Sequence, residues 1–253
     1  MRIAFITDLH IAPPDLKPYG VDAKNNFVNI LSDVLQKGVD HVIIGGDLSY
    51  VDADEKVYQY IKMSLDRSGI PYSVISGNHD DSITLASVFG LQTVNGELCY
   101  TKKICEMDFC FMDTSTAFIS EKQLAWLHEN LLAKNEQFIL VTHHPVLLSN
   151  VPFMDMTWPL KNHEAITGIL ASVDIPVFVF TGHYHIEKTV IYKNITQFTT
   201  PSLFFQINQY TQEFIIDHVQ PAWRMIEWQH GKLYTTVHYL PAEKNAGTSK
   251  EKI

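Results

Sequence analysis

Five short apolar segments, each followed at once by a polar cluster, most strongly constrain how this chain can fold. Each segment is about the length of a β-strand, and together they cover residues 3–7, 42–44, 72–76, 138–142 and 177–181. The clusters that follow contain Asp8 and His10, Gly45-Gly46-Asp47, Gly77-Asn78-His79-Asp80, His143-His144-Pro145 and Gly182-His183-Tyr184-His185. Helical patterns separate several of the segments, and strand–helix alternation of this kind predicts an α/β fold.

The helical patterns have a clear periodicity and clear ends. Phe27, Ile30 and Val34 repeat on one helix face before Gly38, and residues 57–65 repeat the pattern before Gly69. Ser120 and Gln123 have the spacing of a capping box at the start of a third helix. We therefore expect amphipathic helices that cover the outer faces of the sheets.

In the second part of the chain, the predicted strands are connected mainly by hairpins and not by helices. Residues 100–103 and 108–112 indicate a hairpin, and residues 186–239 are rich in β-formers without a strong helix. The economical architecture is α/β, with two mixed sheets stacked between helices in a four-layer αββα sandwich. We expect one domain over residues 1–240, with 198–240 as its β-rich C-terminal part, and a flexible tail over residues 241–253.

Charge and cysteine content exclude several classes of protein. The 253 residues carry a formal net charge of −9, which disfavours stable nucleic-acid binding. The three cysteines form no CxxC pair, which argues against a disulfide framework and a thiolate zinc site. The opening is too soon interrupted by Asp8 for a signal peptide, and no apolar run reaches the length of a membrane span. These features predict a cytoplasmic protein without a membrane partner.

The polar clusters supply a set of metal-ligand side chains. Because ligands collect outside the carboxyl ends of strands in α/β sheets, we expect the clusters to converge. Imidazoles, carboxylates and one amide suit iron or manganese, with zinc or cobalt as alternatives. Seven ligands are too many for one ion with an open position, but with one bridging carboxylate they divide into four for each of two ions. The candidate metal ligands are Asp8, His10, Asp47, Asn78, His143, His183 and His185.

The ordered motifs, from Asp8-x-His10 to Gly182-His183-x-His185, resemble the calcineurin-like metallophosphoesterase superfamily. Three later segments resemble the bacterial class III cyclic-AMP phosphodiesterases of the CpdA group, and the related glycerophosphodiesterases are also similar. These segments are Thr200-Pro201-Ser202, Phe205-Gln206 and Pro221-Ala222-Trp223-Arg224.

The resemblance implies the αββα fold and a division of the ligands between two metal ions, with Asp47 bridging them. One ion would be held by Asp8, His10, Asp47 and His185, and the other by Asp47, Asn78, His143 and His183. Two such ions would activate water for in-line attack on phosphorus and stabilise the charge that develops on its oxygens. We expect His79 to protonate the leaving oxygen. For His144, a catalytic role near the leaving group and a supporting role behind the ligands both remain open.

The C-terminal resemblance predicts a phosphodiesterase for a small substrate, most concretely a 3′,5′-cyclic nucleotide such as cyclic AMP. A glycerophosphodiester or broad-specificity phosphodiesterase or phosphatase is the alternative within enzymes. A protein-binding scaffold on the same fold is the alternative from another class, and the presence of all seven candidate ligands argues against it. The sequence leaves both a monomer and a homo-oligomer open.

Several aromatic residues outside the ligand set have more than one possible role. The loop 150–158 is a candidate wall for a base or an alcohol group. Phe204, Phe205 and Phe214 lie in a segment that could form core, a subunit contact or a cap over the substrate pocket. Tyr50 matches the segment in which purple acid phosphatases carry an iron-bound tyrosinate, but His10 already fills that coordination place. We therefore expect Tyr50 to be a pocket or core residue.

Overall fold

The computed structural model describes residues 1–241, so residues 242–253, nearly all of the expected tail, lie outside the described residues. The strands are β1 (Arg2–Ile6), β2 (His41–Ile44), β3 (Tyr72–Val74), β4 (Tyr100–Ile104), β5 (Met107–Phe111), β6 (Phe138–Val141), β7 (Val177–Thr181), β8 (Lys188–Tyr192), β9 (Ile195–Thr199), β10 (Gln206–Ile207), β11 (Ile216–His218), β12 (Ala222–Gln229) and β13 (Lys232–Tyr239). The α-helices are α1 (Ala23–Lys37), α2 (Glu55–Ser68), α3 (Ser82–Phe89), α4 (Glu121–Leu132), α5 (Pro152–Thr157) and α6 (His163–Leu170).

Two large mixed sheets form the centre of the molecule. The first has the order β13-β12-β1-β2-β3, and the second has the order β4-β5-β6-β7-β9-β8. Strands β1, β2 and β3 run parallel in the first sheet, and β5, β6, β7 and β9 run parallel in the second. The hairpin expected near residue 105 is the antiparallel pair β4–β5. A short antiparallel pair, β10–β11, lies outside both sheets.

Alternating side chains place these sheets between layers of helix. On β1, Phe5 faces the second sheet and packs in one apolar core with Phe111 and Phe180. The neighbouring Ile6 belongs to a different core, which it shares with Phe27 of α1. A third core packs α4 and α6 against the outer face of the second sheet. Because side chains alternate along a strand, one apolar segment serves two cores, and the predicted four-layer αββα sandwich is confirmed.

The helix ends follow local sequence signals. The Asp22 side chain accepts from the Asn25 amide at the start of α1, and Gly38 ends that helix in the left-handed conformation with φ 65°. At the start of α4, the Ser120 hydroxyl accepts from the Gln123 amide. The Gln123 side chain accepts from the Cys99 thiol instead of reaching back, so only half of the predicted capping box forms.

The C-terminal strands return to the start of the chain. Strand β12 pairs antiparallel with β1, with Ile3 opposite Ile226 and Phe5 opposite Arg224. The β-rich reading of residues 186–239 is therefore confirmed, and its last two strands complete the first sheet. Among residues 1–241, no helix has the length and apolar character that crossing a membrane requires.

Candidate metal centre

The predicted ligands meet at one edge of the sandwich, where parallel strands of both sheets end. Asp8 follows β1, Asp47 follows β2, His143 follows β6, and His183 follows β7. The backbone amide of His183 donates to both carboxylate oxygens of Asp8, at 3.1 and 3.0 Å. These four side chains are almost completely buried. The strand ends therefore converge as the chain order predicts.

The backbone at this edge adopts conformations that are rare for residues with a side chain. The left-handed region contains Asp8, His10, Asp47, His183 and His185, with φ of 54°, 43°, 52°, 65° and 51°. Each such residue costs roughly 1–2 kcal/mol, although Asp and His are found there more often than most residues. Strain concentrated in one place is typical of a functional site that the surrounding structure holds in position.

One group of ligand atoms contains Asp8, His10 and His185, all within 4.8 Å of one another. The Nε2 atoms of His10 and His185 are 3.1 Å apart. His185 Nε2 is 3.2 Å from Asp8 Oδ1. This group contains three of the four ligands that the resemblance assigns to one ion.

A second group contains Asp47, His143 and His183, again within 4.8 Å. Asp47 Oδ2 is 3.2 Å from His143 Nε2 and 3.6 Å from His10 Nε2, so this carboxylate lies between the two groups. Asn78 lines the cleft above them. The arrangement could hold two metal ions, with Asp47 in the position of a shared ligand.

The orientation of the imidazole rings fits metal binding. A carbonyl oxygen can only accept, so a ring nitrogen bonded to one carries the proton. In the neutral ring the other nitrogen then presents a lone pair to the cluster, as in metal-ligating histidines. Three rings are fixed in this way: His143 Nδ1 by the carbonyl of Gly45 at 2.8 Å, His185 Nδ1 by that of Phe205 at 3.0 Å, and His183 Nε2 by that of Trp158 at 2.9 Å.

One buried nitrogen that faces the cluster, His143 Nε2, lacks a hydrogen-bond partner in the described chain. His143 Nε2 also lies close to the Asp47 carboxylate. A lone pair facing a carboxylate in a dry environment is unfavourable unless a proton or a cation lies between them. The donor set therefore fits the metal ions that the sequence predicts.

The protonation states of the cluster also suit a metal site. Burial lowers the pKa of His10 to about 3 and that of His183 to about 4, so both rings are neutral near pH 7. Burial acts against ionisation of Asp47, but the neighbouring His143 holds the pKa of this carboxyl well below its usual value. For His143 burial acts to lower the pKa, but Asp47 outweighs it and raises the pKa to about 9. A metal ion bound at His143 would therefore displace a proton.

His79 lies at the edge of the centre and is partly exposed. Its Nδ1 is 2.9 Å from the carbonyl oxygen of Val51, to which it donates, so Nε2 faces Asp47 Oδ2 at 4.0 Å. Its backbone amide donates to Asp47 Oδ1 at 2.9 Å. The ring meets that of His10 edge-on, with centroids 4.9 Å apart. His79 therefore lines the cleft with one ring nitrogen directed at Asp47.

His144 occupies a different position. Its ring is buried and packs against His183 with centroids 4.0 Å apart. Its Nδ1 is 3.1 Å from the hydroxyl of Thr114, which also accepts from its backbone amide. The cleft wall does not include His144. The sequence leaves two roles open for His144, a catalytic one and a supporting one, and this geometry favours the supporting role.

Asp80 has a role in the site that the sequence does not reveal. Its carboxylate accepts from the backbone amides of Leu48, Ser49 and Gly77, and so ties the loop after β2 to the loop after β3. Burial and the charge of Asp47 raise the pKa of Asp80 to about 6. The only sequence signal was its place in the Gly77-Asn78-His79-Asp80 motif.

The C-terminal motifs pack directly on the centre. The Ser202 hydroxyl donates to the backbone oxygen of Asp8 at 2.9 Å. The Gln206 side chain donates to the backbone oxygen of Ser202 at 2.7 Å and accepts from its amide at 3.0 Å. Phe205 supplies the carbonyl that fixes His185. These residues therefore support the ligands from behind.

A cleft of about 420 Å³ opens over the cluster. Its walls are largely aromatic and include Tyr19, Tyr50, Phe153, Trp158, Phe205 and Phe214. The loop 150–158, which contains α5, therefore does form a wall of the pocket. Phe205 and Phe214 line the pocket, and Phe204 and Phe205 also belong to the buried apolar core, so the core role is confirmed for these two. Tyr50 is a pocket residue as expected. Tyr19 was not singled out in the sequence.

The model of the calcineurin-like phosphoesterase family matches residues 1–187. The chain belongs to this family. A probable cyclic nucleotide phosphodiesterase of Fibrobacter succinogenes is 29% identical over 241 residues, which cover 94% of each chain. The 3′,5′-cyclic adenosine monophosphate phosphodiesterase CpdA of Escherichia coli K12 is 26% identical, over 95% of this chain and 90% of CpdA.

Solved structures share the fold of this calcineurin-like phosphoesterase at low sequence identity. A dimetal phosphatase from Danio rerio superposes with a TM-score of 0.65 at 14% identity, over 89% of this chain and 94% of that one. GAP50, described as the anchor in the inner membrane complex of Plasmodium, superposes with a TM-score of 0.60 at 14% identity, over 96% of this chain and 89% of that one. Both likenesses concern the fold.

Proposed function

We propose that the protein is a metal-dependent phosphodiesterase that hydrolyses a small phosphodiester, most concretely a 3′,5′-cyclic nucleotide such as cyclic AMP. The observation that carries the proposal is a cluster of carboxylates and imidazoles beneath an aromatic cleft. The relatives named as cyclic nucleotide phosphodiesterases support the substrate, since they match along nearly the whole chain. A diester that carries an organic ring suits a cleft whose floor is polar and whose walls are apolar.

The seven predicted ligands are proposed to hold two ions, of iron, manganese or both. When bound, such ions supply Lewis acidity, which activates water and stabilises charge on phosphate oxygens. The chain itself supplies the carboxylates of Asp8 and Asp47 and the backbone carbonyls that orient the rings. These carbonyls hold Nδ1 of His143 and of His185, so that Nε2 of each ring faces the cluster.

His79 is proposed as the proton donor to the leaving oxygen. The carbonyl of Val51 holds Nδ1, which leaves Nε2 as the nitrogen that faces the cleft. A protonated Nε2 at this position can deliver its proton to an alkoxide as it departs. Asp47, which accepts from the His79 amide, fixes the loop on which the ring is carried.

A substrate panel tests the proposed function. The metal-replete enzyme is compared on cyclic AMP, glycerophosphoethanolamine, an aryl phosphodiester and an aryl phosphomonoester, with kcat/KM as the measurement. We expect cyclic AMP to give the highest value among the two natural diesters. An Asp47→Ala preparation, purified in the same way, controls for contaminating hydrolases and should be inactive on all four.

Other outcomes of the panel would contradict the proposal. A large preference for the monoester over every diester would exclude a phosphodiesterase. A preference for glycerophosphoethanolamine over cyclic AMP would exclude the cyclic-nucleotide substrate and leave the general reaction intact. Absence of turnover on all four substrates with iron and with manganese would favour a binding scaffold on this fold.

A further inference from the structure

We propose that an aromatic arc formed by Tyr19, Phe153, Phe205 and Phe214 binds the base of the nucleotide, and that Tyr19 determines the preference for diesters that carry a base over diesters without a ring. The inference rests on the proposed cyclic-nucleotide activity and adds to it the part of the chain that recognises the base. The arc is assembled from three distant parts of the sequence, at residues 19, 153 and 205–214.

The arc is continuous with the metal centre. The ring of Phe205 lies against that of His185, with centroids 4.8 Å apart. Tyr19 lies 5.2 Å from Phe205 and 6.2 Å from Phe214. Phe214 in turn lies 5.8 Å from Phe153. A substrate whose phosphate is held at the imidazoles therefore has its organic part on this succession of rings.

Tyr19 is held in the cleft by an unusual backbone conformation. It forms the centre of the 3-10 turn Pro18–Gly20, with φ 53°, although it is neither Gly, Asn nor Asp. Pro18 before it is buried, whereas the Tyr19 side chain is 50% exposed at the cleft. A strained, half-exposed aromatic residue at a binding cleft is the kind of feature that function maintains. A core role does not explain a ring with so much exposed surface.

The chemistry of the arc favours a planar base over a charged head group. Its four side chains carry neither carboxylate nor cation, so they offer stacking surface and a single hydroxyl. Stacking accepts every base because each has a π-face, and so it provides affinity without reading the edge of the base. We therefore expect adenine and guanine cyclic nucleotides to be used with similar efficiency, because the arc binds both through ring surface.

The test compares Tyr19→Ala and Tyr19→Phe with wild type on cyclic AMP, cyclic GMP and glycerophosphoethanolamine, which has no ring. The readout is the ratio of kcat/KM for each cyclic nucleotide to that for the ring-free diester. We expect Tyr19→Ala to lower this ratio about 10-fold through an increase in KM for the cyclic nucleotide. The loss of one stacking contact weakens binding by about this factor. Tyr19→Phe should keep the ratio within about twofold, because the ring remains.

The matched control is Tyr234→Ala. Tyr234 is 49% exposed, close to the exposure of Tyr19, and it lies on β13 away from the cleft lining. This variant should keep the wild-type ratio. Melting temperatures of all variants separate a loss of folding from a loss of base binding.

The outcomes distinguish the inference from the function on which it rests. Wild type that hydrolyses both cyclic nucleotides, with an unchanged ratio in Tyr19→Ala, would overturn the arc alone. Wild type that hydrolyses neither would overturn the cyclic-nucleotide proposal and the arc with it. A wild-type preference for glycerophosphoethanolamine that disappears in Tyr19→Ala would assign the arc to an ammonium group and would also overturn the inference.

Discussion

At the scale of single residues, the metal centre depends on which nitrogen of each histidine carries a proton. Backbone carbonyls decide this for His143, His183 and His185. Because the carbonyls belong to loops of both sheets, each ring is oriented by a segment other than its own. Side-chain identity alone would leave both tautomers available.

His79→Ala tests the proton donor. We expect about a 100-fold or greater loss of kcat with an alkoxide leaving group and a much smaller loss with an aryloxide, since only the poorer leaving group needs protonation. Rates on cyclic AMP and on an aryl phosphodiester measure the difference. Equal losses on the two substrates would show that His79 is not the acid.

His41 gives a prediction at the opposite end of the strands. It is buried on β2, with Nε2 2.9 Å from the Ser73 hydroxyl, and burial, assisted by the charge of Lys102, lowers its pKa to about 4. In the unfolded chain the pKa of this histidine is near 6.5, so between about pH 6.5 and 4 the unfolded chain binds more protons at His41 than the folded protein does. The free energy of unfolding therefore falls as the pH drops through this window.

His41→Gln should weaken that pH dependence while keeping a hydrogen-bonding side chain. Between pH 7 and pH 5, the stability of wild type should fall by about 1–2 kcal/mol more than that of the variant. Urea unfolding at the two pH values measures this difference. The other buried histidines contribute equally to the pH dependence of both proteins, so their contributions cancel in the comparison. If the stability of wild type and variant changed with pH in parallel, His41 would not be the source of the pH dependence.

At the scale of elements, the loops after β2 and β3 lie so close that one of them requires glycine. A Cβ on Gly77 would overlap the backbone nitrogen and the carboxylate of Asp47. On the same loop, the His79 amide donates to Asp47 Oδ1 at 2.9 Å, so the loop cannot move away from Asp47 without losing that bond. The close approach fixes the position of the Asp47 carboxylate.

Gly77→Ala should therefore displace Asp47. We expect a loss of stability of about 1–3 kcal/mol from the overlap and at least a 10-fold loss of metal affinity. Thermal unfolding and metal titration by calorimetry measure the two effects. Gly168→Ala on α6, where the added methyl meets open space, should be neutral or stabilising by about 0.5–1 kcal/mol. Wild-type metal affinity in Gly77→Ala would refute the argument.

The elements also differ in how far their sequences predict them. Helix α1 and the hairpin β4–β5 were predicted because caps, periodicity and alternation are local signals. Helices α3, α5 and α6 have eight, six and eight residues and were not identified. About two turns give too few repeats for a periodic pattern, so tertiary packing decides whether such segments become helical.

At the scale of the whole molecule, Arg224 ties the two sheets together behind the metal centre. From β12 it donates to the backbone oxygen of Thr199 on β9 and to the hydroxyls of Thr200 and Thr235. The side chain is almost fully buried, and burial lowers its pKa to about 10, so it remains charged at pH 7. A buried charge held by neutral acceptors depends on all its bonds.

Arg224→Lys should lower the stability by about 2–3 kcal/mol. A lysine ammonium cannot reproduce the planar fork that reaches three acceptors, so buried oxygens lose their donors. Thermal and urea unfolding measure the loss. Arg67→Lys, at an exposed position on α2, serves as the control and should change stability by less than about 0.5 kcal/mol. Equal stability of both variants would contradict the role of Arg224.

The sequence by itself determined the fold class and the residues of the candidate centre. Short apolar segments that end in polar clusters indicate which parts of the chain lie in sheets, and chain order places Asp8, Asp47 and His143 at strand ends that meet. The tertiary structure decided what local patterns do not encode: the carbonyl that orients each ring, the half-formed cap at Gln123 and the bonds of Arg224. It also assembled the aromatic arc from residues far apart in the chain. These features are contacts between distant segments, and their geometry exists only after the sheets have packed.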